Sequence, residues 1–123
     1  MEKTRFTIQA RAKSFGYAFR GIRIFLLREH NAWLHIAATF VVIALSLAFK
    51  ISSTEWMAIV FAIGLVWVTE ILNTCIEKIM DFISLQEDPR IKLIKDMAAG
   101  AVLLASATAL IIGLIVFTPR LIS

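Results

Sequence analysis

Four polar residues stand close together in an otherwise apolar chain: Glu70, Asn73, Glu77 and Asp81, within "EILNTCIEKIMD". The fourteen residues before Glu70 carry no charge. On a helix, positions i, i+3, i+7 and i+11 fall within about 80° of arc, so the four form one polar stripe. Lys95 and Asp96 open a later apolar segment, and Glu29, with His30 and Asn31, is expected to close a helix just before the first. Carboxylates, an amide and a lysine at a water-lipid boundary suit a divalent metal carrying polyphosphate. Hard Mg²⁺ prefers oxygen ligands, and lysine neutralises developing phosphate charge. The chemistry suggested is phosphoryl transfer to a hydroxyl held at the interface. A blander reading makes the stripe a solvated helix end paired with Lys78, Lys92 or Lys95, which accounts for Glu77 and Asp81 well but for Glu70 poorly.

The elements that must position these residues are membrane helices. Of 123 residues, 59% are hydrophobic and only 18% charged, and the mean hydropathy is +0.82, too apolar for a soluble domain of this length. Apolar segments run from Ala32 to Phe49, from Trp56 through Thr69 into the acidic stretch, and from Met97 to Phe117. Each is near the roughly 20 residues that a spanning helix needs. Between the first two lies "KISSTE", residues 50–55, where Thr54 is placed to cap the next helix. Between the second and third lies "SLQEDPR", residues 84–90, where Pro89 is suited to start a helix. Residues 13–29 read as an amphipathic surface helix, with Phe15, Phe19, Ile22 and Leu26 at helical spacing and Lys13, Arg20 and Arg23 largely elsewhere. The expected architecture is all-α and integral to the membrane. One domain, 1–123, should hold a surface helix (about 13–29) and three transmembrane helices (about 31–49, 55–83 and 90–117). Nothing resembles a linker, a repeat or a removable signal peptide. Cys75, the single cysteine, excludes an intrachain disulfide framework.

Basic residues set the expected orientation. Lys3, Arg5, Arg11, Lys13, Arg20, Arg23 and Arg28 precede the first span, and Lys78, Arg90, Lys92 and Lys95 flank the second loop, whereas the first loop has Lys50 alone. The N-terminus and the "SLQEDPR" loop should therefore be cytoplasmic. Glu70 then lies about 22 Å along a helix entering near Glu55, inside a hydrocarbon core about 30 Å thick. A carboxylate at that depth costs about 2.5–3.5 kcal/mol and is rarely placed there without a partner or a task. No P-loop and no GxGxxG occurs, so neither soluble kinase architecture applies.

"EILNTCIEKIMD", followed by "KDMAAGAVLL" (residues 95–104) and preceded by "GYAFRGIR" (residues 16–23), resembles the prokaryotic diacylglycerol kinase family. The resemblance covers nearly the whole chain. It implies an ATP- and Mg²⁺-dependent lipid kinase of the bacterial inner (cytoplasmic) membrane, a homotrimer whose neighbouring subunits share active sites. It further implies that Glu70 is the general base for the lipid hydroxyl and that Glu29 and Glu77 hold the metal and the ATP phosphates. Asn73 matches a polar neighbour in the motif, Lys95 a phosphate-contacting lysine, and Asp96 and Asp81 acids of the nucleotide site. "NAWLH" (residues 31–35), "ISSTEW" (residues 51–56) and "AAGAVLL" (residues 98–104) look like the undecaprenol kinase branch, whereas the diacylglycerol branch typically carries Gly-Ser at Ala98 and Ala99. Cys75 where alanine is usual, a bulky Trp33, and "LQEDPRIKL" in place of a histidine-containing loop depart from the pattern.

Other features have plainer explanations. His35 lacks a second ligand at metal spacing and reads as a structural hydrogen-bonder. Trp33, Trp56 and Trp67 read as interface anchors and packing groups. Ala98, Ala99, Gly100, Ala101 and Ala105 permit close helix packing. Against the lipid kinase, with undecaprenol or diacylglycerol as acceptor, stands a noncatalytic membrane module whose acids only pair with lysines. A channel is disfavoured, because the acids cluster near one surface.

Overall fold

The computed structural model describes residues 6–123; Lys3 and Arg5 of the basic N-terminal stretch lie outside them. Four helices follow in order: α1 (Ile8–Arg28), α2 (His30–Ala48), α3 (Ser53–Ile83) and α4 (Pro89–Ile122). Three of them, α2, α3 and α4, are long and apolar enough to cross a bilayer. The chain divides into two compact units, Met1–Ala38 and Thr39–Ser123.

In the first unit, α1 begins earlier than the Phe15 periodicity suggests. Thr7 caps it, its hydroxyl accepting from the Ala10 amide at 3.0 Å. Phe15 and Phe19 are exposed and Phe25 is buried. Glu29 is the single residue separating α1 from α2. Its amide donates to Phe25 at 3.1 Å and its carbonyl accepts from Ala32 at 3.2 Å. His30 and Asn31 thus open α2 rather than closing α1.

The second unit is built on α3 and α4, which pack along their length. Small residues make the approach possible: Ala62 on α3 and Ala98 and Ala105 on α4 are buried. Ala99 and Ala101, by contrast, face outward. At the end where α3 begins, Ile51, Ile59, Val116 and Phe117 form a core, with Val42, Phe49 and Trp56 packed against it. The α2–α3 loop is shaped by the backbone. Lys50 takes the left-handed conformation at φ 50°, and the Lys50 and Ile51 amides donate to Leu47 and Ser46, both at 3.3 Å. That is the Schellman pattern, which ends a helix by satisfying its last carbonyls. The cap of α3 is Ser52, not Thr54: the Ser52 hydroxyl accepts from the Glu55 amide at 3.2 Å while the Glu55 carboxylate accepts from the Ser52 amide at 3.0 Å. The reciprocal box satisfies two otherwise unpaired donors, and Thr54, already inside the helix, has no such geometry available. Pro89 starts α4, as its fixed φ and missing N–H favour.

The outward faces remain apolar. Phe40, Phe61, Leu103, Leu104 and Ile115 are each more than two-thirds exposed, an arrangement suited to lipid rather than water.

Candidate active site

Because α3 is one unbroken helix, Glu70, Asn73, Glu77 and Asp81 share a face. Their surroundings grade along it. Glu70 is 7% exposed. Asn73 is half-buried, and its Oδ1 is sealed from solvent without a hydrogen-bond partner. Glu77 and Asp81 are exposed. A buried acceptor left unsatisfied is costly, so Asn73 marks a place where a donor or cation would be welcome.

The first turns of α4 come level with the end of this stripe. Lys95 Nζ donates to Asp81 Oδ1 at 2.6 Å, and one turn earlier Lys92 Nζ donates to Asp96 Oδ2 at 2.5 Å. The blander reading of the stripe therefore holds for Asp81. These residues line an open cleft of about 640 Å³ between the end of α3, the 84–88 loop and the start of α4, with Gln86 and Asp88 on its rim. Asp88 caps α4, its Oδ1 accepting from the Arg90 amide at 2.8 Å and its Oδ2 from Arg90 Nη2 at 2.9 Å. The Arg90 side chain, and then its backbone amide, hold the Asp88 carboxyl below the usual aspartate range.

Asp81, Lys95 and Asp96 are thus brought together on one cleft. Glu77, Asn73 and Glu70 are not part of its lining; they continue the stripe over about 6 to 16 Å of helix beyond Asp81. Glu29 belongs to the other unit, where its place ahead of α2 suits an acid on helix-dipole grounds alone. Among the described residues no three potential ligands converge on one point. Two features escaped sequence reasoning. Lys92 figured as a salt-bridge partner and an orientation charge but not as a site residue, although its i, i+3 relation to Lys95 puts both on one side of α4. The contact of Arg120 with Glu55 was missed because the two are 65 residues apart.

The described residues thus form an all-helical protein with three helices able to cross a membrane, in which the acid stripe runs toward a cleft lined by Lys92 and Lys95 at one end of the α3–α4 pair. The model of the prokaryotic diacylglycerol kinase family matches residues 16–117. The chain belongs to that family and is a kinase. It is 40% identical over 109 residues to the undecaprenol kinase of Bacillus subtilis, covering 89% of each chain. It is also 36% identical over 114 residues to the diacylglycerol kinase of a Synechocystis species, covering 89% of this chain and 63% of that one.

Proposed function

We propose that residues 1–123 form one membrane kinase domain that transfers the γ-phosphate of ATP, with Mg²⁺, to a membrane lipid hydroxyl. Undecaprenol is the favoured acceptor and diacylglycerol the alternative. The observation that carries this reading is Glu70: a carboxylate 7% exposed on a membrane helix, at the inner end of a polar stripe that leads to a lysine-bearing cleft. A lipid hydroxyl below the headgroups would meet Glu70 first.

In this scheme Glu70 accepts the hydroxyl proton as the oxygen attacks the γ-phosphorus. The bond to the β-phosphate breaks and ADP departs. Lys95 exchanges Asp81 for phosphate oxygens, and Asp81 and Asp96 hold the nucleotide. Asn73 Oδ1 takes up one of the donors brought in with the substrates. Glu77 and Glu29 would hold Mg²⁺, which when bound neutralises phosphate charge. The homotrimer is supported by the outward-facing small residues Ala99 and Ala101 on α4, which would let a neighbouring helix approach closely, and a cytoplasmic cleft in a bacterial inner membrane by the basic residues around the 84–90 loop. Preference for undecaprenol rests on Ala98 and Ala99 and on the likeness to the Bacillus enzyme.

The test is radiolabel transfer from ATP by the detergent-purified protein, with undecaprenol and diacylglycerol side by side, with and without Mg²⁺. Mg²⁺-dependent labelling of undecaprenol is expected. Preference for diacylglycerol would keep the mechanism and change the acceptor. If protein shown to be folded labels neither lipid, the noncatalytic module replaces the kinase.

A further inference from the structure

We propose that Lys92 is a second phosphate-binding lysine, holding the non-reacting end of the nucleotide's phosphate chain beside Lys95. The inference rests on the kinase reading above.

Lys92 and Lys95 sit one turn apart on α4 and both line the same cleft, which brings their Cβ atoms within about 5–6 Å. Each ammonium is held by a single carboxylate: Lys95 by Asp81, and Lys92 by Asp96. The Lys92–Asp96 pair is loosely kept, since its side chains are 77% and 60% exposed and water already competes for both partners. A polyphosphate brings more charge and more acceptor oxygens than one carboxylate, so the exchange runs toward phosphate. Asp96 then turns to the cleft or to water without being stranded in an apolar place.

Position assigns the two lysines different parts of the ligand. Lys95 is less exposed, at 35%, and lies about 4.5 Å further along α4, away from the loop and toward the level of Glu77 and Glu70. The phosphate that reaches the lipid hydroxyl must lie on that side. Lys92, nearer the loop, meets phosphate oxygens whose charge changes little as the γ-phosphoryl group leaves. An interaction of equal strength in ground and transition states lowers KM without raising kcat.

The experiment is a charge series at one exposed position, Lys92→Arg, Lys92→Ala and Lys92→Glu, in the full-length purified protein. Steady-state kinetics are run against ATP and against lipid separately, and a non-hydrolysable ATP analogue is titrated without lipid. KM for ATP and the analogue's Kd should rise roughly 3- to 10-fold for Ala, more for Glu and within about twofold for Arg. The lipid KM and kcat should stay within about twofold. The rise for Ala should shrink as salt increases. Unchanged analogue binding across the series, with Lys95→Ala weakening it, overturns the proposal and leaves the kinase intact. Loss of kcat at saturating ATP would also overturn it, by placing Lys92 on the reacting phosphate. Failure of the wild-type protein to bind the analogue at all removes the kinase reading and this inference together.

Discussion

At one end of the α3–α4 pair, Arg120 grips Glu55 with two hydrogen bonds, Nη1 to Oε2 at 2.6 Å and Nη2 to Oε1 at 2.7 Å, and adds a third to the Val116 carbonyl at 2.8 Å. At the other, Lys95 meets Asp81 through a single contact at 2.6 Å. Glu55 also completes the capping box of α3, and the pair abuts the Ile51–Phe117 core. Asp81 and Lys95, instead, open onto a cleft. The two pairs stand about 39 Å apart along α3, more than the hydrocarbon core of about 30 Å, so each is placed to sit in a headgroup region. A planar fork on carboxylate resists exchange, whereas a lysine on a flexible stem can trade one acceptor for another. One end closes the hairpin; the other is left to exchange partners.

The comparison breaks most sharply at Glu70. Glu70→Gln should lower turnover by roughly 10²- to 10⁴-fold, the usual contribution of a positioned general base, with little change in Tm. Wild-type turnover in the purified variant would remove Glu70 from the mechanism. Arg120→Ala should do the opposite, lowering Tm by roughly 3–6 °C with kcat and both KM values within about twofold. Arg120→Lys should fall between, because it keeps the charge but loses the fork. An Arg120→Ala variant of full stability and impaired turnover would mean that the closed end serves chemistry after all.

How much of this was legible in the sequence follows from the range of each interaction. The three apolar helices, the turn at Pro89 and the acid stripe depend on local periodicity and composition, and all could be read before the structure. The cap of α3 was misplaced by two residues because "SST" offers three hydroxyls in a row; only the reciprocal bonds of Ser52 and Glu55 single one out. Lys95 was named from its place at the head of the third apolar segment as well as by resemblance, but its pairing with Asp81 depends on the register in which α4 returns along α3. The Glu55–Arg120 fork spans 65 residues and leaves no local trace. Hydropathy set the expected depth of Glu70 along an apolar helix, whereas its burial among side chains and the sealed Oδ1 of Asn73 are matters of packing that no pattern encodes.

A smaller effect sharpens the closed end. Lys50 holds φ 50° where the backbone turns from α2 into Ile51 and the core. A β-branched residue resists that conformation and glycine does not. Lys50→Val should lower Tm by roughly 2–4 °C relative to Lys50→Gly. Both variants lose the charge, so their difference, read by thermal unfolding in the same detergent, reports backbone geometry alone. Equal Tm values would show that the Schellman turn contributes nothing to closure.

The smallest effect belongs to the open end and depends on pH. Asp88 caps α4 and is held below the usual aspartate range by Arg90. A carboxylate whose folded-state pKa is depressed contributes stability that is present above its unfolded-state value and lost as pH falls through the folded one. Asp88→Ala should therefore lower Tm by about 1–2 °C at neutral pH, since the site is exposed and only one cap is lost. The gap should narrow below the ordinary carboxylate range, as the wild-type residue takes up its proton and gives up its bond to Arg90. Asp88→Asn, which keeps a side-chain oxygen for the Arg90 amide but no charge, should retain the cap and show no such narrowing. A gap for Asp88→Ala that stays constant on acidification would mean that Asp88 acts by shape and not by charge. The rim of the cleft would then be as fixed as the Glu55 end, and the contrast between the two ends would rest on the lysines alone.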